Sequence, residues 1–437
     1  GPAPAGGFGF QFQPQQPQLQ LTSVDFSWQR QRLFDRVAAL SFFEECVESR
    51  NHLTVADVDV REQRHLRPIP LATIELTKKC SIYFHLPSAT TMKLAEELYQ
   101  AGFISYPRTE TEKFHPSMNL EQLVSIQANH SVWGNYVRTN LVGAGGNANA
   151  AAGPRWTNAR NGQKDDQAHP PIHPVKAVEE NQAGVSGPKW KVYELITRHF
   201  LACFSPDAVG EKTTIELDCA EERFTATGLQ MIDRGFLEVY PYDKWGKNDT
   251  VLPRNVFSPV GRVLPRAQFV VHGEQAKFSF HEGTTQPPEL LTEAELISLM
   301  DRNGIGTDAT LATHIETIQQ RNYAQKNAQN RFAPTTLGLA LVEGYQEFAS
   351  LLGYDISKPQ LRAQMEAEMT AIANNQQQKS VFLQQCLGHM LALFNQISQN
   401  PATLDGKLNC YFRDAMGNMF HPAGGGMNGG GGGGAPG

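Results

Sequence analysis

No CxxC pair occurs anywhere in this sequence of 437 residues. Cys46, Cys80, Cys203, Cys219, Cys386 and Cys410 stand far apart, which argues against zinc ribbons and fits a reducing compartment. No run approaches the roughly 18 apolar residues of a membrane helix, and no charged-then-apolar start suggests a signal peptide. The initiating methionine is missing too, so the sequence reads as a fragment or a processed product. A large excess of one sign of charge is missing as well. A formal net charge of −6 argues mildly against a general nucleic-acid coat. It leaves room for a local basic channel, because binding depends on where charges lie and not on their sum.

What is present supports folded domains. The hydrophobic fraction is 40%, enough for sizeable cores. At about 100–200 residues per domain, the length predicts two to four of them. Residues 1–20 are rich in Pro, Gly and Gln and read as unfolded, as does a Gly-rich tail over 401–437. "GAGGNANAAAGP" at 143–154 reads as a flexible insertion. A helical pattern, "QRQRLFDRVAALSFFEECVES", is followed by strand-like alternation in "HLTVADVDVRE" and "LATIELTKK". "SATTMKLAEELYQA" at 88–101 predicts a helix with Ser88 as N-cap, Leu94, Leu98 and Ala101 on one face, and Gly102 at C′. Another helix is predicted for "GPKWKVYELITRHFLAC" at 187–203. Alternation returns between 210 and 285, in "KTTIELDCAEERFTATGLQMI" and "GRVLPRAQFVVHGEQAKFSFHEG", and 291–397 is mainly helical. The fold class is therefore α+β and multidomain. A β domain (21–70 and 204–285) is interrupted by a helical domain (71–203), and a second helical domain follows (286–400).

Three short stretches carry chemistry. In "GFISYPRTETEKFHP" at 102–116, Pro107 steers Tyr106 away from helical geometry. In an extended chain, residues two apart point the same way, so Tyr106 and Arg108 face one side. A phenol with its pKa near 10 is a poor nucleophile at neutral pH. A neighbouring cation favours phenolate and binds a phosphate under attack. The product would be a phosphotyrosine ester that keeps the broken bond's energy for resealing. Taken alone, the same residues far more often mean a structural tyrosine beside a surface arginine. In "KDDQAHPPIHP" at 164–174, His169 and His173 are four apart, but Pro170 and Pro171 forbid the helix that a zinc-binding HxxxH needs. In "NGIGTDATLATHIETI", the GxG follows the helix "TEAELISLM", whose Thr292 and Glu295 fit a capping box, and not the strand a dinucleotide loop requires. Helix, glycine turn, helix suits a helix-turn-helix with Thr307 or Asp308 capping the second helix, and "NYAQKNAQNRFAPT" reads as a two-stranded wing. A plain helical corner fits the spacing as well.

Taken together, these stretches resemble the type IA DNA topoisomerases, and within them eukaryotic topoisomerase III of the alpha kind. "KLAEELYQAGFISYPRTET", "KDDQAHPPIHP", "YELITRHFLAC", "EVYPYDKW", "PPELLTEAELISLMDRNGIGTDATLATHIETIQQRNY" and "LGLALVEGY" follow one another in the family's order, from about residue 26 to about 395. The resemblance implies a β-arch with a tyrosine-carrying helical domain and a winged-helix-like domain, together most of a toroid. It implies transient cleavage of one DNA strand through a 5′-phosphotyrosine link, strand passage and rejoining without ATP. Tyr106 is then the nucleophile, Arg108 the arginine on the scissile phosphate, and His169 a histidine of the cleavage site. Thr307, Asp308 and Thr310 lie near the bound single strand, although bacterial members often carry a basic residue at the Thr307 position. The resemblance further implies Mg²⁺, a RecQ-type helicase and an OB-fold cofactor as partners, roles in DNA recombination and repair, and the nucleus. "ADVDVRE" at 56–62 resembles the metal-binding "DxDREGE" of the family's Toprim domain, but it lacks the glycine turn. Asp57 and Asp59 are accordingly read as the polar face of a strand, with no metal ligand in this stretch. The Toprim domain precedes everything matched here. Two rival readings follow: a fragment that grips single-stranded DNA without cutting it unaided, and a structural arm of a helicase complex.

Overall fold

The computed structural model describes residues 24–49, 53–142, 155–246 and 277–417. The expected N-terminal low-complexity segment, the 143–154 insertion, residues 418–437 of the expected tail and strand residues 261–276 lie outside these. The chain is α+β, and the described residues fall into two units.

One unit gathers residues up to Leu66 with Asp207–Gly235 and Lys244–Thr285. Its sheet is antiparallel, in the order β1-β4-β3-β2, from β1 (Ser27–Trp28), β2 (Thr54–His65), β3 (Ala208–Cys219) and β4 (Glu222–Asp233). β3 turns into β4 through two residues, Ala220 and Glu221, both with positive φ, at 51° and 63°. That matches the mirror-image turn that follows strand twist, achieved here without glycine. β2 carries a bulge between Val55 and Asp57. The extra residue lets Val55 and Val58 both reach the cluster around Ile215 and Ala226, while Asp57 stands exposed and Asp59 pairs with Arg61 at 2.7 Å. α1 (Arg36–Glu48) is capped by Asp35, whose carboxylate accepts the N–H groups of Val37 and Ala38. It closes the sheet's end through Cys46 against Leu53 and Cys219. Residues 277–283 are irregular where a strand was expected, yet Phe278 still packs on Phe224.

The other unit contains Arg67–Pro206, Phe236–Asp243 and the chain from Gln286 on. Its first helix, α2 (Thr73–Phe84), replaces the strand predicted for "LATIELTKK". The buried positions are Thr73, Leu76, Thr77, Cys80 and Ser81, a helical spacing. Two threonines on the inner face made the sequence look alternating. α3 (Ser88–Gln100) is capped one residue earlier than predicted: Pro87 is the N-cap and Ser88 the first helical residue. The buried Ser88 N–H is satisfied by Glu293 Oε1 at 2.6 Å and not by a local side chain. The inner face is Ser88, Thr91, Met92, Ala95 and Leu98; Leu94 is half-buried and Ala101 exposed.

α4 (Leu120–Ile126) and α5 (Gly134–Tyr136) lead to α6 (Gly187–Cys203), which runs as the sequence predicts and buries most of its faces. Its Tyr193, Leu195, Ile196 and Phe200 are fully enclosed, each contributing about 1.5–3 kcal/mol of burial. α7 (Glu293–Arg302) begins with the predicted capping box, Thr292 and Glu295 satisfying each other's backbone. α8 (Leu311–Gln320) and the hairpin of β5 (Ala324–Lys326) and β6 (Phe332–Pro334) follow, sharing a core of Ile297, Leu311, Ile315 and Phe332. α9 (Thr336–Leu352), α10 (Pro359–Ala373), α11 (Lys379–Gln399) and α12 (Pro401–Gly417) complete the unit. α12 corrects the expectation of a tail from 401 on. Lys407 pairs with Glu347 of α9 at 3.0 Å, and Gly344 leaves the room that Leu404 fills.

Candidate active site

The site lies within the second unit and starts from the end of α3. Gly102 takes φ +73°, its N–H returns to the Tyr99 carbonyl, and the Phe103 N–H reaches Leu98. That left-handed residue turns the chain sharply into an extended stretch. Ile104 bridges Pro174, the Ser105 N–H bonds the His173 carbonyl at 2.9 Å, and the Val175 N–H bonds Phe103. The "HPPIHP" segment is thus extended and strapped to the tyrosine segment. His173 is buried, its Nδ1 2.7 Å from the Pro171 carbonyl, and burial lowers its pKa. It serves the scaffold. From the other side, Thr73 at the start of α2 donates its hydroxyl to the Pro107 carbonyl (2.7 Å) and accepts the Thr109 N–H (2.8 Å). The helix that replaced a predicted strand therefore clamps the residues on both sides of Arg108.

The Tyr106 ring lies between two others. Tyr99 meets it edge-on with centroids 5.3 Å apart, and His169 lies 4.7 Å away. Arg108 donates from Nε and Nη2 to Glu96 Oε1, at 2.7 and 2.5 Å, and from Nη1 to the Ala309 carbonyl at 2.9 Å. Glu96 and Tyr99 are three residues apart, hence on one face of α3, and Tyr106 and Arg108 both lie along it.

His169 is held by a residue the sequence reading passed over. Asp166 accepts the N–H groups of Ala168 (2.9 Å) and His169 (2.8 Å) and the Thr109 hydroxyl (3.0 Å), and lies 3.4 Å from His169 Nδ1. Burial opposes its charge, yet the backbone donors of His169 and Ala168 and the hydroxyls of Thr111 and Thr109 prevail and hold its pKa far below the usual carboxylate range. An Asp two and three residues before N–H groups that need acceptors is a recognisable Asx pattern, and that was the available signal.

Of the remaining predicted residues, Thr310, and not Thr307 or Asp308, is the N-cap of α8. The first turn starts late because residues 308–310 form a separate turn closed by the Thr307 carbonyl. The Thr310 hydroxyl accepts the Thr307 N–H at 3.0 Å and meets the Thr307 hydroxyl at 3.3 Å. Gly306, at φ +80°, passes so close to Leu311 and His314 that a Cβ would sit 3.2–3.3 Å from them. Burial raises the pKa of Glu110, near this turn, against the pull of Lys164. The structure thus joins Tyr106 to His169, and Arg108, through Ala309, to the 307–310 turn. Asp57 and Asp59 belong to the other unit. Among the described residues, no group of three or more His, Cys, Asp or Glu side chains could hold a metal ion. None of their helices is long and apolar enough to cross a membrane.

The model of the DNA topoisomerase family matches residues 10–384. The chain belongs to the type IA DNA topoisomerases. Among similar members, the DNA topoisomerase 3-alpha of Arabidopsis thaliana is 42% identical over 369 residues, covering 84% of this chain and 37% of the relative. That of Homo sapiens is 42% identical over 389 residues, covering 89% of this chain and 36% of the relative. The chain thus spans little more than a third of these topoisomerases' length. A solved full-length topoisomerase I from Thermotoga maritima covers 85% of this chain and 56% of its own at a TM-score of 0.57. At 18% identity, that likeness speaks for the fold alone. The Mg²⁺ that the resemblance implies finds no fitting donor set among the described residues.

Proposed function

We propose that this chain supplies the tyrosine side of a topoisomerase III-type reaction on single-stranded DNA. The observation that carries the reading is the Tyr106 ring set between Tyr99 and His169, with the Arg108 guanidinium on the same face of α3. Tyr106 Oη attacks the phosphorus of one strand. A bond forms from Oη to phosphorus, the bond from phosphorus to the 3′ oxygen breaks, and the strand end leaves as a 3′-hydroxyl. The phenol gives up its proton and the departing 3′ oxygen takes one up, so the exchange of esters is balanced. The 5′-phosphotyrosine ester keeps the bond energy, so rejoining is the reverse and needs no ATP. Arg108 offsets charge developing on the phosphate oxygens. Asp166 fixes the His169 backbone and faces Nδ1, so that in the doubly protonated ring Nδ1 turns its proton to Asp166 and Nε2 donates to a phosphate oxygen. The helix-turn-helix and hairpin of α7, α8, β5 and β6 act as a winged-helix-like module, with Thr307, Asp308 and Thr310 beside the strand. The reading extends to the nucleus, to recombination and repair, and to a RecQ-type helicase and an OB-fold protein as partners.

A second reading has the chain grip a single strand without cutting it unaided, in line with the absence of a fitting metal donor set among the described residues. Affinity for one oligonucleotide, single-stranded or as duplex, tests what the two share: the single strand is expected to bind more tightly, and equal binding would overturn both. Supplying a relative's Toprim domain and Mg²⁺ separates them. A covalent adduct that disappears in Tyr106→Phe supports cleavage, and relaxation of supercoiled DNA by the chain alone refutes the second reading.

A further inference from the structure

Arg108 has five N–H donors, and three are already taken inside the protein. Nε and Nη2 share one oxygen, Oε1 of Glu96, and Nη1 takes the Ala309 carbonyl. To a guanidinium, a carboxylate and a phosphodiester present the same thing, negative oxygens in reach of a planar fork. The Arg108 and Glu96 side chains are 26% and 36% exposed, so a strand can reach the pair. We propose that Glu96 is a built-in competitor for Arg108, holding its Nε–Nη2 edge until a phosphate of the bound strand replaces the carboxylate. The inference rests on the functional reading above and concerns the state of that site before DNA arrives.

Two features set Glu96 apart from an ordinary surface acid. Its neighbour Glu97 is committed to Lys189 of α6 at 2.5 Å, a tie within the scaffold. Among the described residues, Glu96 pairs with Arg108 alone, a residue that the functional reading places on substrate. The second feature is the Ala309 bond, which belongs to the turn that leads into α8. A phosphate that draws the guanidinium away from Glu96 also loosens this tie. Arrival of the strand is thereby coupled to the turn that carries Thr307 and Thr310.

Glu96→Gln keeps the side chain's size and an acceptor oxygen but removes the competing charge. Binding of a fluorescent single-stranded oligonucleotide to the full chain, measured across salt, is expected to tighten about two- to fivefold at low salt, the scale of a partly exposed ion pair. The gain is expected to vanish when Arg108→Ala is present in both proteins compared. Without DNA, modification of Arg108 by phenylglyoxal, read by peptide mass spectrometry, is expected to rise in Glu96→Gln. If the wild-type chain binds the strand and Glu96→Gln binds it identically, or gains as much with Arg108→Ala present, the inference is overturned and the functional reading stands. If neither protein binds a single strand, the functional reading falls and the inference falls with it.

Discussion

Glu293→Ala removes one carboxylate on which two other groups depend. Glu293 is 2% exposed; one oxygen accepts the buried Ser88 N–H at 2.6 Å, and the other holds Lys326 Nζ at 2.5 Å. The acid therefore sits at the N-terminal ends of two helices, α3 and its own α7, where a negative charge is favoured. Truncation leaves an N–H without acceptor, a cost of about 1–3 kcal/mol. It also strands the ammonium of Lys326, whose side chain is only 18% exposed. Breaking a buried pair from one side costs about 3–5 kcal/mol, and because one carboxylate serves both groups the two losses overlap. The expected total is about 3–5 kcal/mol for Ala and about 1–3 kcal/mol for Gln, whose amide oxygen still serves Ser88. Adding Lys326→Met to Glu293→Ala should recover part of the loss, since no charge is then left unpaired. Urea unfolding followed by far-UV circular dichroism gives the totals. Hydrogen exchange at residues 88–91 reports the α3 end locally, where faster exchange is expected. A Glu293→Ala protein within about 1 kcal/mol of wild type, or a Gln variant as damaged as Ala, would refute this account of how α3 is anchored.

His199 is buried, and burial together with Lys79 lowers its pKa to about 4, against the pull of the Ile69 carbonyl and Glu75. The unfolded chain binds this proton at about pH 6.5 and the folded chain only near 4, so stability is full above 6.5 and falls as pH drops through that window, by on the order of 3 kcal/mol. His199→Gln should flatten that part of the pH profile of the urea midpoint; an unchanged profile would count against it. Gly338→Ala should destabilise by more than about 1–3 kcal/mol, although alanine normally favours a helix, because its Cβ would sit 2.1 Å from the Tyr323 carbonyl oxygen. A raised melting temperature would sink that argument. Arg108→Lys should bind a single strand nearly as well as wild type but form adduct about 10²–10³ more slowly under the Toprim-supplemented conditions, with Ala slower still. An Ala variant of normal rate would remove Arg108 from the reaction.

Local signals were legible where the chain solves its own problems. The ends of α6 and the capping box of α7 depend on residues within one turn, and both could be read directly. Reading failed where the solution came from far away. Ser88 looked like a cap, but its need is met by Glu293, more than two hundred residues on. Thr73 and Thr77 looked like the polar half of a strand, because nothing local shows that threonine hydroxyls will be buried against the Pro107 carbonyl and the helix backbone. The tyrosine, arginine and histidine proposed for the site were picked out through family motifs. Glu96 was not, being one of two adjacent glutamates in an ordinary amphipathic helix until Arg108 folds back onto it.

The strand register carries one more consequence. His65, the last residue of β2, pairs with Ala208, the first of β3. Directly opposed residues of an antiparallel pair lie about 4.5–5.5 Å apart. The whole excursion of Arg67–Pro206 therefore departs and returns at almost one point, as a guest sequence does in a host. A short turn could span that gap. Deleting the excursion should leave a meander of β2, β3 and β4 with its pairing intact, and a different guest could be spliced in at the same place.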